Sequence, residues 1–347
     1  MRHLQGVDGS GPGRQRRSGR LAVALAAVTC VWGLTGAAAA DASVVSIGSV
    51  LPEGFTPTKF KRVQTFFNTA LPESGANLTS PVTGAVVRWR VQGAVGGPFY
   101  LRVLHPNGKG AYEATGTSLP ATPSGEGLQT FSTNLPIEAG DLIGIDPTNA
   151  TDEIGVKAES GASYATLFPA PFNGSVVAPS ETVSGAEIEL SAEVQPAPEV
   201  TLVSPFSGSV KGGAVVTITG KNLSGASAVE FGATPAASFT VDSDTEITAT
   251  TPAATKPGKV DLTITTLAGS NVNTRFDDYV YRACVVPKLR GATLKAAKSK
   301  LRRSGCKLGH VKKVHASRKQ RGKVLQQQPK AGKVLAPGAR VRIKLGS

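Results

Sequence analysis

From residue 41 to residue 283 the chain is a succession of short β-prone runs separated by clusters of Gly, Pro, Ser and Asn, with no convincing helical stretch between them. Runs this short bury little surface singly, so they must be gathered into sheets that share a core. Val86 to Val91, Phe99 to Leu104, Leu128 to Asn134, Asp141 to Asp146 and Glu187 to Val194 form the first set, and they predict a β-sandwich of jelly-roll-like form over residues 41–195. Pro196-Ala197-Pro198 opens a linker, placed at 196–199. After it Val200 to Val203, Val215 to Thr219, Ala228 to Phe231, Glu246 to Thr250 and Val260 to Thr265 alternate more cleanly, predicting an immunoglobulin-like sandwich over 200–282.

Residues 284–347 differ in kind: they hold nineteen Lys and Arg and no Asp or Glu. Leu294, Ala297 and Leu301 recur at helical spacing, Thr293 is placed to cap the N-terminus, Gly305 to stop the C-terminus, and Lys and Arg crowd the last turn. Two β-prone stretches follow, Cys306 to His315 and Lys323 to Gln328. A third, Arg340 to Leu345, alternates so that Val341, Ile343 and Leu345 point inward and three cations outward. One helix on a three-stranded sheet, a small α+β domain, is the predicted result.

At the other end Arg14, Arg16, Arg17 and Arg20 precede the apolar run from Leu21, which ends in Ala37 to Ala40 before Asp41. This reads as a secretory signal peptide over residues 1–40, cleaved after Ala40, by the general or the twin-arginine route. An uncleaved anchor is the alternative, since about 20 residues span a bilayer. Cys30 sits in a poor lipoprotein context, and no later segment reads as a membrane span. With the leader set aside, residues 41–283 carry fourteen Lys and Arg against twenty-three Asp and Glu. An acidic body joined to a basic tail can self-associate, which is the bland explanation of the asymmetry. Cys284 and Cys306 are then the remaining cysteines, and in an oxidising compartment they read as a disulfide worth about 3 kcal/mol in the chain-entropy model. The competing metal reading, Cys306 with His310 and His315, fits zinc spacings poorly.

Period-two reading of the first domain puts Val87, Trp89 and Val91 on one face, with Trp89 as core. Arg88 and Arg90 fall on the opposite face, and Tyr100 and Arg102 lie opposite Phe99, Leu101 and Val103. If the two strands pair, Arg88, Arg90, Tyr100 and Arg102 share an exposed patch suited to carboxylate or phosphate, and the preferred competing reading pairs these cations with local carboxylates. Glu138, Asp141, Asp146, Asp152 and Glu153 supply acids that a glycosidase could use. His105 is the one histidine between residues 41 and 283 and sits at a turn, which argues against Ser-His-Asp chemistry. Asp242, Asp244 and Glu246 alternate without a calcium-loop pattern. No catalytic set, cofactor or metal site is expected.

Two segments resemble known families. Pro205-Phe206-Ser207-Gly208, Gly212-Gly213, Thr219 to Leu223, Phe231-Gly232 and Asp244 to Ile247 leading to Thr251-Pro252 are similar to the IPT/TIG domain, which implies an immunoglobulin-like interaction or spacer module. Val286-Pro287, Leu289, Gly291, Gly305, Gly309 to Val311, Gly322 to Val324, Gln328-Pro329, Gly332 and Gly338 resemble the PASTA domain of bacterial cell-envelope proteins. That resemblance implies an extracytoplasmic module, some of whose relatives bind cell-wall fragments. The expectation is a non-enzymatic, secreted or cell-wall-associated protein docking on peptidoglycan or an anionic wall polymer. Arg302, Arg303, Lys312, Lys313, Arg318, Lys319 and Arg321, chosen for density, are its candidate contacts. The alternatives are a carbohydrate-active first domain anchored by the tail, and a non-specific polyanion binder. Against nucleic acid stand the leader and the absence of Trp, Phe and Tyr from residues 284–347.

Overall fold

A computed structural model describes residues 43–347 apart from residue 52. The leader, Cys30 and the cleavage point after Ala40 lie outside the described residues. Among those described, the chain is mainly β, with one α-helix, Leu294–Arg303, and no helix long and apolar enough to cross a membrane.

The first domain is a sandwich of two sheets. One has the order Val45–Gly48, Leu190–Pro196, Gly84–Val91, Gln129–Ile137. The other runs from Val176–Val177 through Tyr112–Thr117, Phe99–Pro106, Leu142–Pro147, Thr65–Ala70 and Glu153–Leu167 to Glu181–Ile188, with Thr56–Lys59 added on Glu153–Leu167. Trp89 and Val86 from the first sheet meet Phe66, Leu101, Val103 and Ile145 from the second in one buried core. Trp89 is core as expected, its ring 4.7 Å from that of Phe131. The face assignment around it needs one correction. A register slip between Val86 and Arg88 rotates the strand, so Val86 rather than Val87 is fully buried.

A second correction concerns Glu187 to Val194, which reads as one strand and is two. Glu181–Ile188 belongs to the larger sheet and Leu190–Pro196 to the smaller, and the chain crosses between layers at Glu189. No backbone bond is lost in the crossing. The Glu189 N–H donates to the Gly155 carbonyl (2.9 Å), and its carbonyl accepts from Gln92 N–H (3.1 Å). The buried Asn68 amide both donates to the Ile188 carbonyl (2.9 Å) and accepts from its N–H (2.8 Å).

The second domain is also a two-sheet sandwich. Glu199–Ser204, Val215–Lys221, Glu246–Thr250 and Ser238–Ser243 face Ser207–Ser209, Asp278–Arg282, Gly258–Thr266, Ala228–Phe231 and Thr234–Pro235. Val216, Ile218, Ile247, Ile264 and Tyr279 fill the space between. The linker shrinks to Ala197 and Pro198, because Pro196 still pairs with Gly84 and Glu199 already pairs with Lys221. Ala197 is itself held, donating to the Thr83 carbonyl (3.0 Å) and accepting from Asn222 Nδ2 (3.2 Å). At the far end Ala283 alone separates Asp278–Arg282 from Cys284–Val285.

In the third domain Arg340–Gly346 is the central strand, parallel to Lys307–Val314 on one side and antiparallel to Val324–Gln328 on the other. Val341, Ile343 and Leu345 are buried against Ala297 and Leu301 of the helix. Cys284 and Cys306 form a disulfide (S–S 2.01 Å). A two-residue ribbon, Cys284–Val285 with Val334–Leu335, adds to the expected helix and sheet and is too short to leave a sequence pattern. Gly305 follows the helix at φ +66°, with its Cα so close to the Ala283 carbonyl that a side chain has no room. Thr293 caps the helix, its Oγ1 accepting from Ala296 N–H at 3.3 Å. Thr293→Ala is expected to cost about 1 kcal/mol, read as a lower melting temperature of the third domain; an unchanged melting temperature would show that the Thr293 side chain does not stabilise the helix.

Candidate functional site

The helix covers one face of the three-stranded sheet and leaves the other open. Alternation along the central strand places Arg340, Arg342 and Lys344 on that open face, and all three are exposed. The register extends the charge sideways. Lys312 lies directly beside Lys344 on one neighbour, and Gln326 and Gln328 lie beside Lys344 and Arg342 on the other.

A second layer of contacts brings further cations to the rim. Gln327 turns towards the segment before the helix, its Oε1 accepting from Leu289 N–H (2.7 Å) and its Nε2 donating to the Pro287 carbonyl (2.9 Å). Gly291 N–H bonds the Val324 carbonyl and Val324 N–H the Ala292 carbonyl, each at 2.8 Å. This clamp sets Lys288 and Arg290 along one wall, while the turn after Pro329 supplies Lys330. The result is an open groove of about 600 Å³, also lined by His310 and Leu325.

No acid answers these charges locally. Among the described residues, every ion pair lies before residue 284, and none involves the third domain. Directly opposed like charges such as Lys312 and Lys344 destabilise a sheet by a few tenths of a kcal/mol. The groove is therefore built at a small energetic cost that an anion would remove.

Of the residues chosen for density, Lys312 lines this groove. Lys313 follows it on the same strand and so points to the other side. Arg302 and Arg303 are exposed in the last helical turn, where cations complement the carbonyl end. Arg318, Lys319 and Arg321 are exposed in the turn leading to Val324–Gln328. Density passed over Arg342 and Lys344 because apolar residues are interleaved with them, although the same alternation had already set them on one face.

The patch of Arg88, Arg90, Tyr100 and Arg102 does not form. Gly84–Val91 pairs with Leu190–Pro196 and Gln129–Ile137, not with Phe99–Pro106, so the two halves lie in different sheets. Arg88 and Arg90 both bind the Glu193 carboxylate, Arg88 Nε at 2.7 Å. Arg102 is buried and paired with Asp146, its Nε 2.9 Å from Oδ2. Local carboxylates take these cations, as the competing reading held.

Most of the candidate acids hold backbone or side chains in place. Asp152 accepts from the N–H groups of Gly97, Thr148 and Asn149, Asp141 holds His105 Nδ1 at 2.6 Å, and Glu153 pairs with Lys59. Asp242 accepts from Thr248 Oγ1 (2.7 Å), and Asp244 from Ser224 N–H (3.3 Å). Among the described residues no group of His, Cys, Asp and Glu is arranged to hold a metal ion.

A buried acidic cluster at the layer crossing escaped the sequence reading. Lys157 Nζ reaches Glu159 (2.7 Å), Glu73 (3.3 Å) and Glu187 (3.9 Å). Glu187 and Glu189 are fully buried, and neither oxygen of Glu189 has a donor. Burial, reinforced by the neighbouring Glu73, pushes the Glu187 carboxyl up to about 8, and burial pushes Glu189 up to about 7. Burial alone would raise Glu73 too, but hydrogen bonds from Glu187, its own backbone and Lys157 outweigh that and hold it low. Ser49 Oγ donates to Glu187 Oε1 at 3.3 Å.

Comparison with known proteins identifies two of the three domains. Residues 198–281 match the model of the IPT/TIG domain and residues 285–347 that of the PASTA domain. The chain carries one IPT/TIG domain and one PASTA domain. The region before the IPT/TIG domain matches no family model, and no curated protein matches the chain. Among solved structures, the full extracellular region of plexin A4 aligns at 11% identity and a TM-score of 0.22, over 62% of this chain and 34% of that one. The chain therefore spans about a third of that structure's length. The two domains and the disulfide fit an extracellular, cell-wall-associated multidomain protein.

Proposed function

We propose that the chain is a non-enzymatic, exported envelope protein that docks on peptidoglycan or its attached anionic polymers through the PASTA domain. The IPT/TIG domain is the spacer, and the N-terminal sandwich is the part presented outward. The observation that carries this reading is the open sheet face with Lys312, Arg342 and Lys344 in adjacent register and no acid in the domain. Uncompensated cations of this density favour a polyanionic partner.

The test is retention of the purified chain from residue 41, and of residues 41–283, on insoluble peptidoglycan with and without its attached polymers across a salt series. Retention of the longer chain alone supports docking through the PASTA domain. Loss of retention when the polymers are stripped or salt is raised identifies the polymers as the partner. Absence of retention for both chains under every condition refutes envelope docking.

A further inference from the structure

We infer that the groove on the open face of the PASTA sheet binds a linear polyol-phosphate polymer, one phosphodiester charge per repeat, laid along the central strand. This rests on the docking proposed above and names the ligand class of that site. Three features of the groove select that chemistry.

The first is the spacing of charge. Arg342 and Lys344 line the groove two residues apart, roughly 7 Å along the strand, Arg340 continues the row on the same face beyond it, and Lys312 stands one strand away, roughly 5 Å across. Such a row suits a flexible chain with one anion at every link better than a compact ligand with a single charged end. The second is the absence of carboxylates. The domain contains no Asp or Glu, so ammonium groups on a wall peptide would find no carboxylate to pair with beside these cations.

The third is the polar, non-aromatic remainder. Gln326 and Gln328 stand beside Lys344 and Arg342, and a side-chain amide both donates and accepts, which matches the hydroxyls of a polyol link. Residues 284–347 contain no Trp, Phe or Tyr on which a nucleobase or a sugar face could stack. Guanidinium and ammonium groups beside uncharged amides bind phosphate through charge and hydrogen bonds alone.

The experiment measures binding of the chain from residue 41 to poly(glycerol phosphate), and to a single-stranded oligonucleotide of equal charge, across a salt series. One variant carries Lys312→Gln, Lys330→Gln, Arg342→Gln and Lys344→Gln. A control of equal charge change carries Lys295→Gln, Lys298→Gln, Arg302→Gln and Arg303→Gln on the helix. Loss of four phosphate contacts should reduce the slope of log affinity against log salt by about 3 and lower affinity on the order of 100-fold at low salt. The helix variant should keep nearly the full slope, and the oligonucleotide should bind more weakly than the polyol phosphate.

Removing opposed cations should leave the melting temperature unchanged or higher, so unfolding is separable from lost binding. Arg342→Gln alone, expected to lower the slope by about 0.7, serves if the fourfold variant does not fold. Equal losses in the groove and helix variants would overturn the site. Equal or tighter binding of the oligonucleotide would overturn the ligand class. Retention on stripped peptidoglycan without binding to poly(glycerol phosphate) would overturn this inference and leave docking standing, and failure of both would end both.

Discussion

Asp146→Ala should destabilise the N-terminal sandwich by about 3–5 kcal/mol, a large part of the stability of an ordinary domain. Asp146 is buried with Arg102, accepts from its Nε at 2.9 Å and also accepts from Thr65 Oγ1 at 2.6 Å. Arg102 reaches onward to Thr117 Oγ1 at 2.7 Å. Truncating the carboxylate strands a guanidinium inside the protein, and that penalty, rather than the attraction of the pair, sets the size of the effect. Replacing both partners with apolar residues of similar volume, Arg102→Met with Asp146→Leu, should recover most of the loss. Trp89 provides the readout, because it is the one Trp after residue 41 and lies buried in the same domain. A loss below about 1 kcal/mol on denaturant unfolding, typical of exposed pairs, would mean that Arg102 reaches water once Asp146 is gone.

The same domain should lose stability as pH rises from 5 to 9. Burial holds the Glu187 and Glu189 carboxyls up to about 8 and about 7 in the folded chain, well above the ordinary carboxyl value of 4.5. Between the two limits the folded state holds protons that the unfolded state has released. Their contribution is complete below pH 4.5 and disappears as pH climbs through 7 to 8. For Glu189 the difference corresponds to about 3 kcal/mol at the alkaline end. His105, raised by its hydrogen bond to Asp141, acts in the same direction, while Glu73, held low, matters on the acid side. Lys157, raised to about 12 chiefly by its bond to Glu159, stays charged throughout. Glu189→Gln should flatten the profile of Trp89-monitored stability between pH 5 and 9, whatever it does to the absolute level. A flat profile in the unchanged chain would contradict the burial argument.

How far the sequence could be read depended on whether local pattern and tertiary contact agreed. In the PASTA domain they agree: the cap at Thr293, the stop at Gly305 and the alternation from Arg340 to Leu345 each stand where the residues place them. In the first domain they part company. Glu153–Leu167 is the longest strand, yet Gly155, Lys157, Glu159, Gly161 and Ser163 dilute its pattern, and only neighbours on both edges make it a strand. Glu187 and Glu189, two apart, fall in a run that reads as one strand. The chain changes layers at Glu189, and both carboxyl groups are buried, a placement that no one-dimensional pattern records. The groove was half legible: alternation exposed Arg342 and Lys344, but the register bringing Lys312 beside them joins residues distant in sequence. The fold of Gln327 onto Leu289 is of the same kind.

The single residue between the IPT/TIG and PASTA domains acquires mechanical meaning if the groove is the anchor. A pull on the body is transmitted through Ala283 to Cys284, and from there the disulfide passes it straight to Cys306 and the strand Lys307–Val314. The helix in the bridged segment 285–305 is bypassed. Lys307–Val314 is paired directly with the central strand that carries Arg342 and Lys344, so the load reaches the groove across that ladder. Reduction of the disulfide would leave that load to the ribbon with Val334–Leu335 and to the single bonds from Val285 N–H to the Ser304 carbonyl (3.1 Å) and from Val286 N–H to the Lys333 carbonyl (3.0 Å).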